Sequence, residues 1–100
     1  MIREELVTQA EQMVDDMKPQ ILEISHSIFK TPELAFHEFK SAQILQDIVE
    51  TNGFSAVRGQ GELQTAIRAE HTPKTNTPNI AFISEFDALP NGHACGHNLI

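Results

Sequence analysis

Seven residues near the C-terminus, Gly92-His-Ala-Cys-Gly-His-Asn98, gather the only cysteine of the chain and two of its five histidines. Thiolate and imidazole are good ligands for a borderline-soft divalent ion such as zinc, so Cys95 and His97 are candidate metal ligands. They stand two apart, and in an extended segment that parity turns both side chains to one side. Gly96 between them lets the backbone bend without a steric penalty. His93 shares the parity and is either a further ligand or a supporting hydrogen-bond donor. Asp87 is suited to orient an imidazole through its ring N–H, and Glu85 either does the same or faces solvent.

Each of these residues also has a plainer reading. A single cysteine can be a small buried apolar residue, and a histidine can sit on the surface or at a helix end. A nucleophilic Cys95 with His97 as its base is a weaker reading. Neighbours two apart seldom reach that geometry, and no third orienting group is apparent. His26, His37 and His71 have no acidic or thiol neighbour at useful spacing, apart from Glu38 beside His37, and read as structural or exposed. Glu33 reads as a cap for the helix that follows it or as a brace for the loop. The Phe and Met residues read as core.

The elements that must position these residues follow from periodicity. Ile2, Leu6, Met13, Met17, Ile21, Ile24 and Ile28 recur at helical spacing and predict a helix over about 2–29. Pro19 inside it predicts a kink or a break near Met17-Lys18. A second helix is expected over about 36–52, with Phe39, Ala42, Leu45, Ile48 and Val49 inward and Asn52-Gly53 as its stop. Residues 54–58 read as a short strand and 59–61 as a turn. Leu63, Thr65, Ile67 and Ala69 alternate with polar neighbours as in a half-buried strand. Residues 71–78 read as a polar loop. The apolar run Asn79–Ser84 reads as a strand covered on both faces. The expected fold is α/β: two helices, two to three strands and a metal-binding loop, opening an open sheet. In such sheets ligand sites lie at the carboxyl ends of strands, where Glu85 to Asn98 falls. Leu99-Ile100 reads as the first turn of an unfinished helix, which suggests the N-terminal piece of a larger enzyme.

Composition excludes some classes. A net charge of −7 and a pI near 5.0 argue against a nucleic-acid partner. No stretch approaches the roughly 20 apolar residues that span a bilayer. The charged, amphipathic N-terminus does not read as a signal peptide. One cysteine permits no internal disulfide, which fits a reducing cytoplasm.

Taken together and in order, "TPELAFHEF", "ISEFDALP" and "GHACGHNLI" resemble the start of a metal-dependent amidohydrolase. That family includes aminoacylases and the hippurate, auxin-conjugate and aminobenzoyl-glutamate hydrolases, among the di-metal exopeptidases of clan MH. The likeness covers nearly the whole chain and is most specific in its last residues. It implies that residues 1–100 are the N-terminal segment of an α/β/α catalytic domain, with the rest of that domain and a smaller lid or dimerisation domain lying elsewhere. It implies two divalent ions, zinc first and manganese second, held in part by Cys95 and His97. His93 and Asp87 are then supporting residues, with a general-base glutamate beyond residue 100. The implied reaction is attack of a metal-activated water on an amide of an N-acyl amino acid, an aminobenzoyl-glutamate-like conjugate or a short peptide. A homo-oligomer formed through the second domain is implied too, and the 100 residues alone are expected to be inactive. The alternative is a non-enzymatic metal or thiol sensor built on Cys95. Three positions depart from the family pattern. Glu85-Phe86-Asp87 keeps only the aspartate of a His-x-Asp motif. Asn98 stands where many relatives have aspartate, and Phe29 where some have histidine.

Overall fold

A computed structural model describes residues 2–73 and 78–100. Helix α1 spans Arg3–Lys30 and α2 spans Phe39–Thr51. Strands β1, Ser55–Arg58, and β2, Ile67–Glu70, form a two-stranded antiparallel sheet with Ala56 opposite Ala69 and Arg58 opposite Ile67. The α/β mix expected from the sequence is present. A layered open sheet is not seen among the described residues, where β1 and β2 are the only paired strands.

Local chemistry accounts for the helix ends. Glu4 and Glu5 lie in the first turn of α1 and Lys30 in the last, each complementing the helix dipole. Glu5 also accepts a hydrogen bond from the Ile2 N–H at 3.3 Å. Of the two outcomes expected at Pro19, a break does not occur, because α1 runs through it as one helix. The proline removes one backbone donor, and the Asp15 carbonyl left without it lies on an exposed stretch where water can hydrate it.

Helix α2 starts three residues later than periodicity suggested. Phe36 adopts a left-handed φ of 71°, and His37 N–H closes a turn onto the Leu34 carbonyl at 2.9 Å. The helix is capped from outside its own sequence. The Glu33 carboxylate accepts the N–H groups of Lys40, at 3.0 Å, and Ser41, at 2.7 Å, as an N-cap side chain would. Glu38, at the N-cap position itself, accepts instead from the Thr65 hydroxyl at 3.0 Å, tying the approach to β2 onto α2. Arg58 adds a second tie, reaching Gln43 and Gln46 from β1.

The core is small. Ile28, Ala42 and Ala88 are its buried apolar members, joined by Ser41 and Thr65. The α1 stripe is therefore only partly used. Every residue from 2 to 16 is exposed, while Met17 and Ile24 are half-buried. A 28-residue helix is about 42 Å long and α2 about half that, so only the C-terminal part of α1 has a partner. The expectation that Phe and Met residues form the core is corrected for the same reason. Met13, Phe29, Phe36, Phe39, Phe54 and Phe82 are all exposed.

Within β2 the inward alternation holds, with Ile67 and Ala69 half-buried and Arg68 and Glu70 exposed; Thr65 ahead of it is buried, whereas Leu63 is exposed. The run Asn79–Ser84 forms no strand, and its apolar residues Ile80, Phe82 and Ile83 stand 78%, 91% and 89% exposed. A strand apolar on both faces needs hydrogen-bonding neighbours and two covering layers, and the described residues offer it neither. Of the loop expected over 71–78, residues 74–77 lie outside the described residues. No helix among the described residues is long and apolar enough to cross a membrane.

One backbone contact positions the site. The Ala88 N–H donates to the Glu33 carbonyl at 2.7 Å, and Leu34 bridges Ala88 in parallel. Residue Glu33 thus caps α2 with its side chain and holds the segment after Asp87 with its backbone.

Candidate metal site

From Ala88 the chain folds back on itself at once. Leu89 and Gly92 exchange N–H···O bonds of 3.0 and 2.8 Å around Pro90-Asn91, a tight turn that leaves Gly92 at φ 100°. Proline presets the φ that such a turn needs, and glycine accepts the positive φ that follows. A second turn closes from Gly96 N–H to the His93 carbonyl at 3.2 Å. Gly96 then takes a left-handed φ of 72° and launches a single 3-10 turn, His97–Leu99.

These turns bring His97 back to Asp87 and Glu85. Its Nδ1 lies 2.8 Å from Asp87 Oδ1, and its Nε2 lies 3.3 Å from Glu85 Oε2. An ionised carboxylate only accepts, so a proton on Nδ1 is held by Asp87 and one on Nε2 faces Glu85; with only Nδ1 protonated, Nε2 would be free to ligate a metal. The hydrogen bond to Asp87 raises the imidazole above its ordinary pKa; partial desolvation opposes this, and the charges of Asp87 and Glu85 reinforce it. Glu85, Asp87 and His97 each offer one donor atom, and these atoms lie within 4.8 Å of one another. Two carboxylates and one imidazole suit a divalent ion such as zinc or manganese, so the residues present fit a metal.

The sequence candidates separate here. His97 and Asp87 meet, with Asp87 making the contact of an orienting carboxylate. Glu85 does both things left open for it, since its side chain is 61% exposed and still faces His97. Cys95 is exposed and outside the gathered donors. The extended geometry that would set Cys95 and His97 on one side is not adopted, because the left-handed Gly96 turns the chain between them. His93 stays outside the cluster as well. Both its ring nitrogens are buried without a partner among the described residues, and the ring stacks on Phe29 with centroids 6.3 Å apart. His26, His37 and His71 are exposed. The cleft between α1 and α2, lined by Gln20, Glu23, Ile24 and Asp47 among others, contains none of the donors.

Sequence reasoning missed one contact altogether. Asn98, next to His97, donates its side-chain amide to Ser25 on α1, to the hydroxyl at 3.2 Å and the carbonyl at 3.4 Å. The two residues are 73 positions apart, and nothing in local spacing announces the pair.

No family model matches the chain. Individual proteins do. Over 99 residues it is 35% identical to a human Xaa-Arg dipeptidase, across 87% of this chain and 23% of that protein. Over 96 residues it is 33% identical to a p-aminobenzoyl-glutamate hydrolase component of Escherichia coli strain K12, across 78% of this chain and 20% of that protein. Along most of its own length the chain is thus similar to a dipeptidase and to an aminobenzoyl-glutamate hydrolase. A more distant match, 27% identical over 99 residues, is to an N-acetyldiaminopimelate deacetylase of Halalkalibacterium halodurans. The chain spans about a quarter of the length of the curated relatives it matches.

Proposed function

We propose that these residues belong to a metal-dependent hydrolase that cleaves an amide in an N-acyl amino acid, an aminobenzoyl-glutamate-like conjugate or a short peptide. The observation that carries the reading is the convergence of His97 with Asp87 and Glu85, in a chain related to a dipeptidase and to an aminobenzoyl-glutamate hydrolase. His97 ligates through Nε2, and Asp87 fixes the ring through Nδ1. Glu85, which faces the same ring, and Cys95, two residues before His97, are the further candidate donors. Two divalent ions, zinc or manganese, complete the centre; when bound they polarise the amide carbonyl and make water a nucleophile near neutral pH.

In this reading residues 1–100 are the N-terminal segment of a larger catalytic domain, with the general-base glutamate and remaining ligands beyond residue 100. The chain's quarter share of its relatives' length and the bare apolar residues Phe82 and Ile83 support that view. The whole protein is cytoplasmic, pairs through a second domain, and acts on small amide or peptide substrates. The exposed thiol of Cys95 supports a second reading, a metal or thiol sensor without turnover.

Metal analysis of the whole protein after dialysis against metal-free buffer tests this, with wild type beside Cys95→Ser. Wild type is expected to keep one to two zinc or manganese ions, and loss of metal from the variant would make Cys95 a ligand. A well-folded wild type that comes out metal-free overturns the hydrolase reading and moves the thiol sensor to the front.

A further inference from the structure

The 3-10 turn that carries His97 is one turn long, too short to hold its own direction. Its orientation must come from contacts outside it. On one side is Asp87, through the ring. On the other is α1, which touches the site loop at two places. Phe29 stacks on His93, and Ser25 accepts from Asn98. Ser25 and Phe29 are four apart on α1 and therefore share a face. The loop residues they engage, His93 and Asn98, bracket Cys95, Gly96 and His97. The last turns of α1 thus form a platform that holds both ends of the site loop.

We propose that Asn98 is a positioning residue for His97, latching the turn to α1 through Ser25. This rests on the metal-site reading above. The chemistry favours an amide at position 98. Its NH₂ group donates within reach of both the Ser25 hydroxyl and the Ser25 carbonyl. A carboxylate there has no hydrogen to give and would set a negative charge against a carbonyl oxygen. The latch keeps the His97 ring set with Nδ1 on Asp87 and Nε2 towards Glu85.

The test is a cobalt(II) titration of the whole protein as wild type, Asn98→Ala, Ser25→Ala and the double variant, with circular dichroism as the folding check. Asn98→Ala is expected to weaken cobalt binding about 10-fold, the lower end for loss of an outer support of a ligand. Ser25→Ala should lose less, because its backbone carbonyl still accepts. The double variant should bind no worse than Asn98→Ala, since the two side chains form one link. A folded Asn98→Ala protein that binds cobalt like wild type overturns the latch. If Asn98→Ala does not fold, Ser25→Ala decides, and wild-type affinity there overturns it equally. If wild type itself binds no cobalt, the metal reading fails. The latch is then judged on the metal-free protein by the NMR resonances of the His97 ring, which Asn98→Ala must shift and which, if unmoved, overturn it.

Discussion

Glu33 and Asp87 are carboxylates on segments joined by one backbone hydrogen bond, yet their surroundings differ in kind. Glu33 faces two backbone N–H groups of α2, which cannot leave or titrate. Burial pushes its carboxyl up, but the donors Lys40 N–H and Ser41 N–H and the Lys40 charge outweigh this and hold it below the usual range. Asp87 faces one imidazole, which can rotate, protonate or bind a metal, and Glu85 competes for the same ring. A carboxylate satisfied by fixed donors fastens the fold. One that shares a titratable ring with a second acid leaves a position for something else to occupy.

If that contrast is right, the two carboxylates fail in different ways. The largest effect should come from His97→Ala, which removes the only ring the two acids share. Cobalt or zinc affinity of the whole protein should fall at least about 100-fold, the upper end of what even an outer support of a ligand is worth, with the thermal midpoint nearly unchanged. Asp87→Asn should fall between this and wild type, losing about 10-fold or more, because the ring keeps a ligand nitrogen but loses its orienting partner. Affinity unchanged in Asp87→Asn would place Asp87 with the fastening residues and erase the distinction.

Glu33→Ala sharpens the comparison from the other side. Loss of the cap for α2 should cost about 1–2 kcal/mol in urea unfolding, the range for a lost helix cap. Metal affinity of the folded fraction should stay close to that of wild type. A large loss of metal with no loss of stability would mean that the Glu33–Ala88 link transmits more to the site than its backbone bond suggests.

The same contrast explains what was legible in the sequence. Elements stabilised locally were readable: α2, β1, β2 and the capping role of Glu33 follow from periodicity and punctuation. The Asp87–His97 encounter was half legible, because the chemistry of the residues announced a metal while the turns that join them did not. Cys95 lies in the turn that closes onto His93 and is followed by a left-handed Gly96, so the extended spacing that would pair it with His97 is not formed. Asn79–Ser84 carries the composition of a central strand without finding strand partners among the described residues. Pairing and burial there are properties of neighbours, and no local pattern encodes neighbours. The Asn98–Ser25 contact was invisible for the same reason.

The smallest effect is the most direct measure of how firmly Glu33 is held. Its carboxyl has a lower pKa in the folded chain than an ordinary glutamate. The unfolded state therefore binds the proton more readily, and the folded state loses stability as the group is protonated. The contribution is fully present above the unfolded value, about 4.3 for glutamate, and disappears as pH falls through the lower folded value. Lys40, whose charge helps to lower this carboxyl, stays protonated throughout that window, so the slope reports the titration of Glu33 itself. Urea midpoints measured from about pH 6 down to about pH 3, a range that brackets the glutamate titration, should thus drop faster for wild type than for Glu33→Gln, with the two curves converging at the acid end. Parallel curves would mean that the two N–H donors hold the neutral carboxyl as well as the ionised one. Glu33 would then fasten α2 through shape alone, and charge would set apart only the cluster around His97.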